Sequence, residues 1–251
     1  MAPSACLGSF NMDSFPVRRH SSFLTTRWTR VCLAKADSED GRLALAELCD
    51  AYYQPVVAFL RCELRDEEAA RELSHTFFAE MLAGGTISTA DQERGRFRSY
   101  LLGAVKHFLS HHREAAQRMK RGGGTEHVST DDAEVHAIPD CGNLSPDAEF
   151  DRQWALTVLA NALNSLRIEC KAGGRETFFD QVKPWLTGEA THGDQAALAA
   201  ACGMSPAGLK MAVHRLKQRF RQCVKAEVAG TLEDSTMVEE EMRSLFAALG
   251  G

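Results

Sequence analysis

From Ser205 to Ala226 the chain carries Lys210, Arg215, Lys217, Arg219, Arg221 and Lys225 and no acid at all. Lys210, His214, Lys217, Arg221 and Lys225 recur at spacings of 4, 3, 4 and 4, which on a helix puts them in one stripe. Leu209, Val213, Leu216, Phe220 and Val224 repeat that spacing one residue round and predict the buried face of the same helix. A merely solvated helix intersperses acids with its bases and gains i,i+4 pairs. An unrelieved cationic stripe suits a polyanion whose charges it neutralises, although charge runs also occur as plain solvent-facing surface.

A second basic segment runs from Arg94 to Arg121, with eight bases against the single acid Glu114. Here Phe97, Tyr100, His107, Phe108, His111 and His112 interleave with Arg96, Arg98, Lys106 and Arg113, and Arg118, Lys120 and Arg121 follow. Rings that catch unstacked bases beside cations that hold a backbone are the chemistry of single-strand capture. Leu101, Leu102 and Phe108 are expected in the core; Tyr100 fits either role. The histidines His107, His111 and His112 have no Cys or carboxylate partner at matching spacing, so no metal site is predicted. No nucleophile–base spacing and no phosphate loop appears, so no catalytic residue is predicted.

The elements that position these residues read as helices, because apolar residues recur at helical spacing and no run alternates for long at period two. One stripe spans 42–64, with a kink or break expected at Pro55. Asp66 is placed to cap the next helix, with Glu67 and Glu68 in its first turn. A third helix is expected from about Phe97 to Arg121, stopped by Gly122-Gly123-Gly124. Ser145-Pro146-Asp147 marks another helix start, with Phe150, Trp154, Val158 and Leu166 on its inner face. Ala197 to Cys202 reads as a short helix, Gly203 as its left-handed terminus, and Ser205-Pro206 as the start of the cationic helix. Short helix, Gly turn and capped helix is the helix-turn-helix order.

The chain of 251 residues has a net charge of −5 and a pI of about 6.0, which an undivided average would set against nucleic acid. The charge is segregated, however. Residues 122–151 hold eight acids and no Lys or Arg, and residues 232–251 hold five acids against Arg243. The expected fold class is all-α: two small helical domains, 26–121 and 148–231, joined by an acidic linker, 122–147. A loose arm over 1–25 precedes them, and an acidic amphipathic tail over 232–251 follows, with Val238, Met242, Leu245 and Leu249 at helical spacing. Arg18-Arg19 is followed by His20 and two serines rather than an apolar stretch, so export is not expected. None of the eight cysteines forms a C-x-x-C pair. They read as small hydrophobes in a reducing, cytoplasmic setting, and no window is apolar enough for a membrane span.

Two parts of the chain together resemble the sigma factors of bacterial RNA polymerase, of the extracytoplasmic-function (ECF) type and nearest to the planctomycete-like group. The N-terminal likeness runs through Thr25-Thr26-Arg27-Trp28-Thr29, Glu47-Leu48-Cys49-Asp50-Ala51-Tyr52-Tyr53-Gln54-Pro55 and Ala70-Arg71-Glu72-Leu73-Ser74-His75-Thr76-Phe77-Phe78. It is strongest at Arg94-Gly95-Arg96-Phe97-Arg98-Ser99-Tyr100-Leu101-Leu102, Lys106-His107-Phe108-Leu109 and Lys120-Arg121-Gly122-Gly123-Gly124. The C-terminal likeness runs from Leu186-Thr187-Gly188-Glu189 through Gly203-Met204-Ser205 to Leu209-Lys210-Met211-Ala212-Val213-His214-Arg215-Leu216, and the tail Glu240-Glu241-Met242-Arg243-Ser244-Leu245-Phe246 looks like that group's extension.

The resemblance implies a non-catalytic transcription initiation factor with no cofactor. Residues 26–121 would form sigma region 2. Its helix over 66–83, with Glu68, Glu72, His75, Thr76 and Glu80, would bind the β′ clamp helices of core RNA polymerase. Arg96, Arg98, Tyr100, Lys106, His107, His111, Arg113, Arg118, Lys120 and Arg121 would melt and hold the −10 element of promoter DNA. Region 4 would place Ser205, Lys210, Met211, His214, Arg215, Lys217, Arg219 and Arg221 at the −35 element and touch the β flap. The linker would thread the polymerase channel, and an anti-sigma factor or other regulator is a further partner class. Where the family usually has Asp-Leu-Thr-Gln-Glu this chain has Glu72-Leu73-Ser74-His75-Thr76, and Ser110-His111-His112 stands where the family often has Asn. The competing reading is a stand-alone helix-turn-helix regulator with a helical sensor domain.

Overall fold

The computed structural model describes residues 38–83, 96–122, 144–187, 195–232 and 234–250. The arm over 1–25, the Thr25–Thr29 motif, Arg94 and most of the acidic linker lie outside them. Among the described residues all regular structure is helical: α1 Glu39–Leu64, α2 Glu67–Leu82, α3 Phe97–Gly122, α4 Pro146–Ala172, α5 Glu176–Thr187, α6 Gln195–Ala201, α7 Pro206–Ala229 and α8 Val238–Leu249, with a single 3-10 turn over Ser235–Met237. None of these helices is long and apolar enough to cross a membrane.

The starts follow from local hydrogen bonding. Asp66 accepts from the backbone N–H groups of Glu68 at 2.9 Å and Ala69 at 3.0 Å, satisfying donors that have no partner within the helix. Ser145 accepts from Ala148 N at 3.2 Å with Pro146 at the first position of α4, and Ser205 accepts from Gly208 N at 3.1 Å with Pro206 opening α7. Between α6 and α7, Gly203 takes a φ of +63°. There Met204 N donates to Ala199 O at 2.8 Å and Gly203 N to Ala200 O at 3.0 Å, the paired closure that a left-handed residue makes possible.

Of the kink or break expected at Pro55, the break is absent; α1 runs through it. Proline removes one backbone hydrogen bond and crowds the carbonyl four residues back. Val56, Phe59 and Leu60 beside it are at most 1% exposed, and burial of a Leu- or Phe-sized side chain stabilises by about 1.5–3 kcal/mol, which offsets that loss.

The two halves of the chain share one core. Buried Tyr52, Phe59 and Phe97 belong to the same continuous cluster as Trp154, Leu166, Val224 and Leu245. α4 lies at its centre and packs against α1, α5, α7 and α8. On α7 the inward residues are Leu209, Ala212, Leu216, Cys223, Val224 and Val228, while Val213 and Phe220 are only half-buried. All five expected residues thus face the core, since Val213 and Phe220 also pack against it, and Ala212, Cys223 and Val228 widen the apolar stripe where several helices pack on α7. On α3, Phe97, Leu101, Val105 and Leu109 are buried, whereas residues 110–118 are exposed throughout. The second half of that helix thus leaves the core and projects into solvent. Cys49 and Cys223 are free thiols that burial pushes up to about 11, in keeping with their role as packing groups.

Candidate nucleic-acid interface

The cationic stripe of α7 lies on the surface. Lys210, Met211, His214, Lys217 and Arg221 are exposed, and so is the capping Ser205. Among the described residues, Lys210, His214, Lys217 and Arg221 meet no carboxylate. Lys210, His214 and Lys217 rim a shallow groove of about 230 Å³ floored by Trp185, Leu209 and Val213. The groove thus has an apolar floor under two lysines and a histidine.

Two other cations of α7 are placed differently. Arg219 makes a bidentate pair with Glu169 of α4, both bonds at 2.7 Å. Those hydrogen bonds raise the guanidinium's already high pKa, and the pair fastens α7 to α4. Lys225 pairs with Glu239 of α8, which lowers the Glu239 carboxyl below its usual value. Arg215 is half-buried at the rim. Lys210, Lys217 and Arg221, with His214 and Met211, therefore remain as the outward face.

On α3 most of the expected single-strand contacts have protein partners. Arg96 pairs with Glu240 at 2.6 Å and Glu241 at 3.0 Å. Arg98 is buried; it pairs with Asp151 at 2.7 Å and Glu241 at 3.1 Å, and its guanidinium stacks 4.2 Å above the Trp154 ring. Lys106 pairs with Asp147 at 2.6 Å. Further along, Arg113 reaches Glu63 at 2.9 Å and Arg118 reaches Glu114 at 3.1 Å. His107 and His111 are exposed with their Nε2 atoms 3.1 Å apart. Tyr100 is half-buried and stacks on Phe97 at 6.0 Å between centroids. Lys120 and Arg121 sit in the last turn of α3, and their side chains lie outside the described residues.

On α2, Glu68, Glu72, His75, Thr76 and Glu80 are all exposed, and their spacing places them along one face. His75 is held there: its ring stacks on Tyr53 at 5.5 Å, and its Nε2 lies 2.9 Å from the Tyr53 hydroxyl. Thr76 Oγ1 donates back to Glu72 O at 3.1 Å.

Three buried acids were not singled out from sequence: Glu149, Glu227 and Glu241, each at most 3% exposed. Glu241 carries the most consequence. Burial pushes its carboxyl above the usual range, Arg98 and Arg96 pull it back down, and Asp151 and Glu240 push it up again. A signal for it was present, since Glu241 falls in register with Val238, Leu245 and Leu249 on the apolar side of α8.

In comparisons with protein-family models, curated proteins and solved structures, nothing matches this chain. The functional reading therefore rests on the residues and their placement.

Proposed function

We propose that this chain is a sigma factor of the ECF type, a subunit that binds core RNA polymerase and directs promoter recognition, DNA melting and transcription initiation. The carrying observation is the outward face of α7: Lys210, His214, Lys217 and Arg221 stand exposed without acids on a helix that begins at a Gly203 turn and a Ser205 cap. In this reading Lys210, Met211, His214 and Arg215, near the helix start, meet base edges at −35, and Lys217 and Arg221 meet phosphates. Arg219, held by Glu169, orients the helix rather than touching DNA.

The charge of the acidic stretch 122–147 keeps it off promoter DNA and suits a cationic polymerase channel. The exposed face of α2 is the contact for the β′ clamp helices. Reversing its charge through Glu68→Lys, Glu72→Lys and Glu80→Lys is expected to weaken association with purified core RNA polymerase at least about tenfold, with helix content unchanged by circular dichroism. Co-elution with core at undiminished affinity would remove α2 from the polymerase contact.

A further inference from the structure

We propose that α8 is an intramolecular latch: its Glu240 and Glu241, together with Asp147 and Asp151 of α4, occupy the α3 cations that nucleic-acid phosphates would otherwise take, and so hold the free chain closed. The inference rests on the reading of α3 as a nucleic-acid face and adds how that face is kept silent.

The geometry makes the two states exclusive. Arg98 uses one face on Trp154 and its guanidinium edge on Asp151 and Glu241. Arg98 is only 7% exposed among those partners, so a phosphate reaches its guanidinium only when they move away. Arg96 is held by two carboxylates of α8 and Lys106 by one of α4. The acids come from the two segments with the largest excess of negative charge, 122–151 and 232–251, and the bases from the segment with the largest excess of positive charge. The overall net charge of −5 is thus in part an internal neutralisation.

The latch is also built to release. α8 has only 12 residues, and Met242 and Leu245 are its fully buried apolar side chains. Beyond these, Val238, Ala248 and Leu249 pack partly on the core, and ion pairs run through Glu239 to Lys225 and through Glu240 and Glu241 to α3. Carboxylates taken out of water recover that cost only from good partners, and a competing polyanion would offer the α3 cations alternative ones. A cleft of about 660 Å³ lies beside the contact, lined by Arg96, Arg98, Ser99, Lys106, Asp151 and Ser244, with room for an incoming phosphate. By linkage, whatever displaces α8 tightens nucleic-acid binding by the same factor that nucleic acid loosens α8.

The test uses the full chain, a Glu240→Lys/Glu241→Lys variant, a Glu240→Gln/Glu241→Gln variant, and a Glu39→Lys/Asp40→Lys control that makes the lysine variant's charge change far from α3. Two quantities are read: hydrogen exchange over 97–106 and 147–154 without nucleic acid, and affinity for a fluorescent single-stranded oligodeoxynucleotide at about 0.1 M salt. Both latch variants should exchange faster in those segments and bind at least about tenfold more tightly, while the control does neither. Unchanged exchange, or an equal gain of affinity in the control, would overturn the latch. Faster exchange without tighter binding would instead overturn α3 as a nucleic-acid face, and the masking role with it.

Discussion

Trp154→Ala is expected to destabilise the chain by about 3–5 kcal/mol, the usual cost of emptying a large aromatic site in a core. That is a large share of the roughly 5–15 kcal/mol that holds a protein folded. Trp154 is 1% exposed, on the central helix α4. It supports more than its own volume, because Arg98 stacks on it at 4.2 Å while pairing with Asp151 and Glu241. With the ring gone, a buried guanidinium loses its π face, an interaction of about 2 kcal/mol when desolvated, and borders a cavity. Trp154→Phe provides the contrast. It keeps an aromatic face under Arg98 and removes an indole N–H that has no hydrogen-bond partner among the described residues, so its cost should be well below that of alanine. Urea unfolding followed by far-UV circular dichroism measures both, and equal losses for the two variants would show that the Arg98 stack contributes nothing.

The second large effect is expected on α7. Lys210→Ala with His214→Ala should lower dependence on the −35 element by about 1–3 kcal/mol for each base no longer read, and Lys217→Ala with Arg221→Ala should weaken DNA binding on all sequences and flatten its salt dependence by about one unit for each phosphate released. Neither pair touches the core, since all four side chains are exposed, so stability should be nearly unchanged. Core association should also persist. Titration of labelled promoter duplex at several salt concentrations, beside gel filtration with core polymerase, separates these outcomes. Loss of core binding by either pair would show that this face meets protein and not DNA.

Local rules carried the helix starts. Asp66, Ser145 and Ser205 were legible because a cap is an interaction with residues two or three positions on, and Gly203 because only a turn needs its φ. The all-helical class was legible from periodicity for the same local reason. Pro55 does not end α1, because its cost is local while the burial that offsets it comes from packing against other helices, α4 among them. The inward face of α7 was legible from spacing, down to Val213 and Phe220 packed at its edge, whereas burial of Ala212 and Cys223 was not, since spacing alone cannot say that several helices pack on it. The cations of α3 were legible as a cluster, but their partners were not. Arg96 and Glu240 are 144 residues apart and Lys106 and Asp147 are 41 apart, and no periodicity links such pairs. On α7 Lys210, His214, Lys217 and Arg221 stayed on the surface because they needed no distant partner, whereas Lys225 found one in Glu239.

The most direct measurement of the proposed function is run-off transcription with purified core RNA polymerase, this chain and a library of promoter fragments. The account predicts discrete transcripts that appear only when core and chain are both present, and that weaken when Lys210 and His214 are replaced by alanine. Tight, sequence-specific DNA binding with no promoter-directed transcript would contradict it and leave a stand-alone helix-turn-helix regulator in its place.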